Sequence, residues 1–452
     1  MTLSSLSAIR FGYGPGARAM PSGAEAILAS LSAPDDLLRA FPMPSLDRAL
    51  KIARADRDAQ KAVARNEPGA ETVKERTRQD LSSAQMSGLR QSLARVADSP
   101  APFRERLMHF WADHFAVRVT QTRLSGLGPA YLDQAIRPNI AAQFGDLLKA
   151  AVLHPAMLVY LDQVASVGPG SALGRDRGQG LNENLAREVL ELHTMGAEGS
   201  YTQADVTEFA ELLTGLSFNI NKGPLFLPRR AEPGAETVLG VAYGGAKPGR
   251  RDILAFLDDL ALHPDTAHHV STAIATHFLA DRPDPGVIAE METAWSRSDG
   301  NLMQVYSAML DHPAAWATEL GKAKRPFDFM ASALVALGVA GSTVSNMPNK
   351  LLNQAFARPA QVMGQPFMAP PDPSGWSEEA AAWITPQGLA GRIHWAMSVP
   401  ARLVDPLPDP RDFVLTVLGD MASERLVWAA AASETRDQGV GLVLSAPEFN
   451  RR

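Results

Sequence analysis

Apolar residues recur along nearly the whole chain at the three-to-four-residue spacing of an amphipathic helix, while strand-like alternation is scarce. That period leaves little room for a sheet protein and predicts an all-α fold. The 452 residues, 46% of them hydrophobic, suffice for an extended core and read as one large helical domain over 1–452. Within it, 45–97 reads as a charged helical hairpin broken near Asn66-Glu67-Pro68-Gly69, 101–218 as a motif-bearing core, and 251–452 as a C-terminal helical part. The exception is 219–250. There Leu225-Phe226-Leu227 and Thr237-Val238-Leu239 flank Glu232-Pro233-Gly234-Ala235, predicting one small β-hairpin insertion.

Composition narrows the chemistry. With no cysteine, disulfides, thiolate metal ligands and a Cys nucleophile are excluded. A net charge of −6 with interspersed signs gives no basic face for phosphates, so nucleic acid is not an expected partner. No stretch approaches the roughly 20 apolar residues of a membrane-spanning helix, and the N-terminus lacks a basic region followed by an apolar run. Cytoplasmic residence is the default expectation, with export alongside a partner left open. Signatures of several enzyme classes are missing: no Gly-x-Ser-x-Gly, no His-Glu-x-x-His, no phosphate-loop lysine and no Glu-x-x-His repeat.

Three histidines precede prolines, in His154-Pro155, His263-Pro264 and His312-Pro313. Proline suits the first helical position because its missing N–H has no helical partner to lose, so these histidines are expected at helix starts for structural reasons. Two irregular stretches remain: the glycine-rich Gly168 to Gly180, read as a mobile loop, and the proline-rich Gly364 to Trp376, read as extended.

The phrases Ile9 to Gly14, His109-Phe110-Trp111-Ala112-Asp113-His114-Phe115, Asn182 to Gly196, Tyr201 to Val206, Lys324-Arg325-Pro326-Phe327, Gly364-Gln365-Pro366-Phe367 and Ala446-Pro447-Glu448-Phe449 together make the chain resemble a bacterial domain-of-unknown-function family numbered eighteen-hundred. The resemblance implies a single helical unit over almost the whole length. It supplies no activity and no catalytic residues. It also implies a partner, a sulfatase-like protein of unknown function encoded nearby.

Reactive side chains are densest between 181 and 215. At about 100° per residue, Glu183, Arg187, Glu188 and Glu191 fall on one side of a helix, while His193 turns to the apolar side. On 104–117, His109 and Asp113 form an i, i+4 pair in which Asp113 is placed to orient the imidazole, and His114 lies among Leu107, Phe110 and Trp111. The bland alternative is a surface ladder of ion pairs for the acids and satisfied core positions for His114 and His193. The functional reading is an enzyme, hydrolytic in its simplest form, with a polar site between 102–118 and 182–195. His109, Asp113, Arg187, Glu188 and Glu191 are its catalytic candidates, and His114 and His193 its ligands for a divalent metal. The competing reading is a non-catalytic helical scaffold or chaperone-like partner, using 45–97 and 364–376 as contact surfaces.

Overall fold

The computed structural model describes residues 1–16, 20–177 and 180–452. Among the described residues the structure is about 63% helical, as the helical period predicts, with two small two-stranded antiparallel sheets. Among the described residues no helix is long and apolar enough to cross a membrane.

The charged hairpin is α1 (Leu46–Ala64) and α2 (Ala70–Asp98). Its turn places Asn66 and Gly69 at positive φ (54° and 78°), which asparagine and glycine tolerate best. Then comes α3 (Pro102–His114), opened by a proline in its first turn and ended earlier than the apolar period alone suggests. The polar segment is less regular than one helix. It forms α4 (Asn184–Glu188) and then a π-helical turn, Val189–Thr194, before α5 (Gln203–Leu212). The start of α5 is a capping box in which Thr202 and Asp205 satisfy each other's backbone amides.

The expected single hairpin is in fact two. Strand β1 (Leu216–Asn219) pairs with β2 (Gly223–Phe226), and β3 (Gly234–Val238) with β4 (Val241–Gly245). Leu225 therefore faces Ser217, and Thr237 faces Ala242, instead of the two segments facing each other. The turn that closes the second hairpin is Leu239-Gly240, both at positive φ, so the Pro-Gly at 233–234 opens a strand rather than joining two. Part of the glycine-rich stretch also differs, folding as a short helix, Ala172–Arg177; Gly178 and Gln179 lie outside the described residues.

The three proline-preceding histidines are N-caps. Nδ1 of His154 accepts from the Ala156 amide, that of His263 from Asp265 and that of His312 from Ala314. An imidazole accepting through Nδ1 carries its proton on Nε2, so the capping role also fixes the tautomer.

Two apolar cores organise the remaining helices. The larger holds Trp111, Phe115, Phe144 and Trp295; the second holds Phe329, Phe356, Trp395 and Phe449, and Phe367 packs against both. Helix α6 (Pro264–Phe278) belongs to the first and α7 (Pro326–Ala336) to the second. The seam between the cores is where polar groups gather.

Candidate functional site

Helix α3 carries charged and aromatic side chains into that seam. Arg106 is 2% exposed and meets Asp328 of α7 at 2.7 Å through one terminal nitrogen, while the other lies 3.1 Å from Nε2 of His277 on α6. Guanidinium only donates, so His277 Nε2 must accept. Its proton then sits on Nδ1 and is donated to Glu378 at 2.6 Å. Burial holds His277 neutral, down at about 4. Glu378 also meets Arg325 at 2.7 Å and Lys322 at 3.2 Å, and Arg325 meets Asp113 at 2.6 Å. Cations and anions thus alternate across the seam, which makes burial of so many charges tolerable.

Asp113 closes α3. Its Oδ1 accepts from the Trp376 amide at 3.0 Å and its Oδ2 from Arg325, which also donates to the Trp376 carbonyl at 3.0 Å. The carboxylate is therefore committed to Arg325 and to the proline-rich strap, and the expected Asp113–His109 orienting bond is replaced by these. Burial lifts Asp113 to about 6, against the pull of Arg325. His109 packs against Phe327 with ring centroids 4.2 Å apart and planes tilted by 47°, and its Nε2 has no hydrogen-bond partner. Burial keeps it neutral, at about 4.

Arg106, His109, Asp113, Arg325 and Asp328 line a cavity of about 80 Å³. Its apolar wall includes Leu89, Val117, Phe367 and Met368. Residues 365–368, Pro370 and Trp376 of the strap border it, so the proline-rich stretch forms part of its wall. A second, wider cavity of about 260 Å³ lies beyond Asp113 and Trp376, bordered by His114, Leu192, His269 and Thr272.

The remaining candidates lie elsewhere. Arg187 pairs with Glu183 at 2.9 Å and donates to Gln203, while Thr207 donates to Glu183, so this part of the polar face ties α4 to α5. Glu188 is half-buried and pushed up by burial and by Glu191. None of Arg187, Glu188 and Glu191 borders either cavity.

His114 and His193 do approach, with ring centroids 6.1 Å apart, and His269 stands 6.2 Å from His114. Two of the three rings turn to backbone: His114 Nε2 donates to the His193 carbonyl at 3.1 Å and His269 Nε2 to the Leu192 carbonyl at 3.0 Å, whereas both ring nitrogens of His193 are buried without a hydrogen-bond partner. These carbonyls belong to the last turn of the π-helical stretch, which has no further turn to bond, so the imidazoles satisfy the helix end. Burial drives His114 down to about 3 and His193 well below its ordinary value.

Among the described residues, the ligand-type atoms that gather within 4.8 Å of one another belong to Glu208, Glu211 and Glu236, where α5 meets β3. The cluster is short of cations, and Glu236 is pushed up to about 8 by burial and by Glu211 and Glu208. The proton Glu236 retains stabilises the fold fully below about 4.5, its ordinary value, and that contribution is lost as pH rises through about 8. Glu236→Gln is accordingly expected to be more stable than wild type at pH 9, by on the order of 1 kcal/mol, with the gap shrinking toward pH 4. Urea denaturation across that range checks it, and a gap independent of pH would refute the shared-proton account.

Sequence reasoning reached His109 and Asp113 but missed Arg106, Arg325, Asp328, His277 and Glu378 as their neighbours. A signal existed for two. Arg325 and Asp328 bracket Pro326-Phe327 at the head of an otherwise apolar helix, where charge implies a buried partner. Glu378 carried none.

No curated protein and no solved structure matches this chain. A family does: residues 7–451 match the one described as "Protein of unknown function (DUF1800)", and with nearly every residue covered the chain belongs to that family.

Proposed function

We propose that the protein is an acid–base enzyme acting on a small molecule in the 80 Å³ cavity, with His109 and Asp113 as the reacting groups. The observation that carries this reading is the convergence there of 106–113 with 325–328 and 365–376, which follow more than 200 residues later, beside an imidazole whose Nε2 nothing satisfies. A polar atom shut away without a partner costs free energy, and such costs collect where a ligand is to be met. Asp113, lifted to about 6, exchanges a proton near neutral pH, the property a general acid needs. Arg325 would fix the carboxyl group and stabilise charge that develops beside it.

Hydrolysis is the simplest reaction such a site supports. Among the described residues no serine or threonine borders the cavity, so the nucleophile would be a water drawn to His109. The polar face of α4 takes no part in this reading. His109→Gln and Asp113→Asn are each expected to cut turnover about 10²–10⁴-fold in a screen of small esters and amides, the range for losing an acid–base group. Glu188→Gln and Glu191→Gln should leave it unchanged. Full turnover in a folded His109→Gln protein would end the proposal.

A further inference from the structure

We infer that Glu208, Glu211 and Glu236 hold a divalent cation of the size of Ca²⁺ where α5 meets β3. The site is separate from the seam, since none of the three borders either cavity there.

Local structure brings the acids together. Glu208 and Glu211 stand three residues apart on α5, so one face of the helix presents both. Glu236 is the middle residue of β3, and one carboxylate oxygen from each of the three lies within 4.8 Å of the other two. Two oxygens bound to one Ca²⁺ at about 2.3–2.6 Å can stand up to about 5 Å apart, so the three can share an ion as they are placed.

Burial gives an independent indication. Of the buried acids, Asp56 meets Arg123 at 2.9 Å, Glu105 meets Arg137 at 2.7 Å and Asp328 meets Arg106 at 2.7 Å. Glu236 is equally buried, at 7% exposed, yet among the described residues no Arg, Lys or His pairs with it, and no amide or hydroxyl donates to its carboxylate. A carboxylate taken out of water needs a cation or a set of donors, and here the chain supplies neither. The Thr237 amide reaches the cluster, but it donates to Glu208, at 2.9 Å. The other groups around the site add no positive charge: Glu232 acts on Glu211 as a further acid, and Tyr243, opposite Glu236 on β4, gives its hydroxyl to Asp259. A proton shared among the acids offsets part of this charge when no ion is bound. A divalent cation offsets more of it.

Donor chemistry selects the ion. All three donors are carboxylate oxygens, with no imidazole among them, which suits a hard cation. Mg²⁺ demands near-ideal octahedral geometry and usually takes one or two carboxylates, whereas Ca²⁺ accepts irregular sets of six to eight oxygens. Glu208 and Glu211 are half-buried, which leaves the ion a way in and water room to complete its shell. An ion bound there pins the β3–β4 hairpin to α5.

The test is calorimetric titration of the full chain, stripped with EDTA and exchanged into metal-free buffer at pH 8, with CaCl₂ and with MgCl₂. One Ca²⁺ per chain is expected, with a dissociation constant of about 10⁻⁴–10⁻³ M, and Mg²⁺ at least tenfold weaker. Glu236→Gln keeps the size of the side chain and removes its charge, so it should weaken Ca²⁺ at least tenfold with the circular dichroism unchanged. Glu211→Gln should do the same, and decides alone if Glu236→Gln does not fold. Glu71→Gln, on the exposed part of α2, should leave binding as it is. No uptake of Ca²⁺ up to about ten times the upper end of that range overturns the proposal. So does uptake that survives both Glu236→Gln and Glu211→Gln, and so does Mg²⁺ bound as tightly as Ca²⁺.

Discussion

Asp328→Ala is expected to lower the free energy of unfolding by about 3–5 kcal/mol, because it leaves the buried Arg106 guanidinium without its carboxylate. Asp328 is 6% exposed and Arg106 2%, so water cannot replace the lost partner without opening the seam between the two cores. The pair itself need not be strongly stabilising, since the cost of desolvating both ions offsets much of their attraction. The double variant Arg106→Met with Asp328→Leu should therefore recover most of the loss. Sign with pH follows from Arg106 holding Asp328 below its ordinary 3.8: the contribution is present above that value and disappears as pH falls through the lowered one. Urea denaturation of the two single variants and the double variant measures all of this. A single-variant loss under about 1 kcal/mol would show that the seam is wet and the pair solvated.

The helical period carried most of the fold because it is a local property, and the Asn66 to Gly69 break and the histidine-proline helix starts were legible for the same reason, each decided within four residues. Partners separated by long stretches of chain were not legible. His109 and Asp113 sit one turn apart, which invites pairing them, yet Asp113 turns to Arg325, more than 200 residues away, with a bond of 2.6 Å. The helical projection of 182–195 assumed a uniform 3.6-residue turn, whereas a π-helical stretch occupies Val189–Thr194. At the end of that stretch His114 and His269 donate to the His193 and Leu192 carbonyls, contacts that no uniform projection shows. The two hairpins were misread for a related reason: Pro233-Gly234 looks like a turn, but register is set by pairing across strands, and the tighter loop at Leu239-Gly240 wins.

Gly375→Ala is expected to detach the strap from the cavity. Gly375 has φ of +79°, where an L side chain costs roughly 1–2 kcal/mol, and an added Cβ would lie 2.7 Å from the backbone oxygen and from Oδ1 of Asp113. Neither contact can relax cheaply. The Asp113 backbone is the end of α3, and Oδ1 is the atom that accepts from Trp376. Relief must come from the strap, and moving it breaks the Trp376 amide bond to Asp113 and strains the Arg325 bond to the Trp376 carbonyl. Because the chain has no cysteine, Ala116→Cys supplies a single thiol on the cavity wall, 2% exposed in the parent residue, whose rate of modification reports opening. A loss of about 1.4–2.8 kcal/mol in closure corresponds to a roughly 10–100-fold faster reaction. If Gly375→Ala changes that rate less than twofold while Asp113→Asn changes it strongly, the strap is held by the carboxylate and not by the fit of Gly375 against the helix end. If neither moves it, the cavity is reached by a route that does not pass the strap, and the closure of the site must be sought on the side of α2, where Leu89 forms the wall.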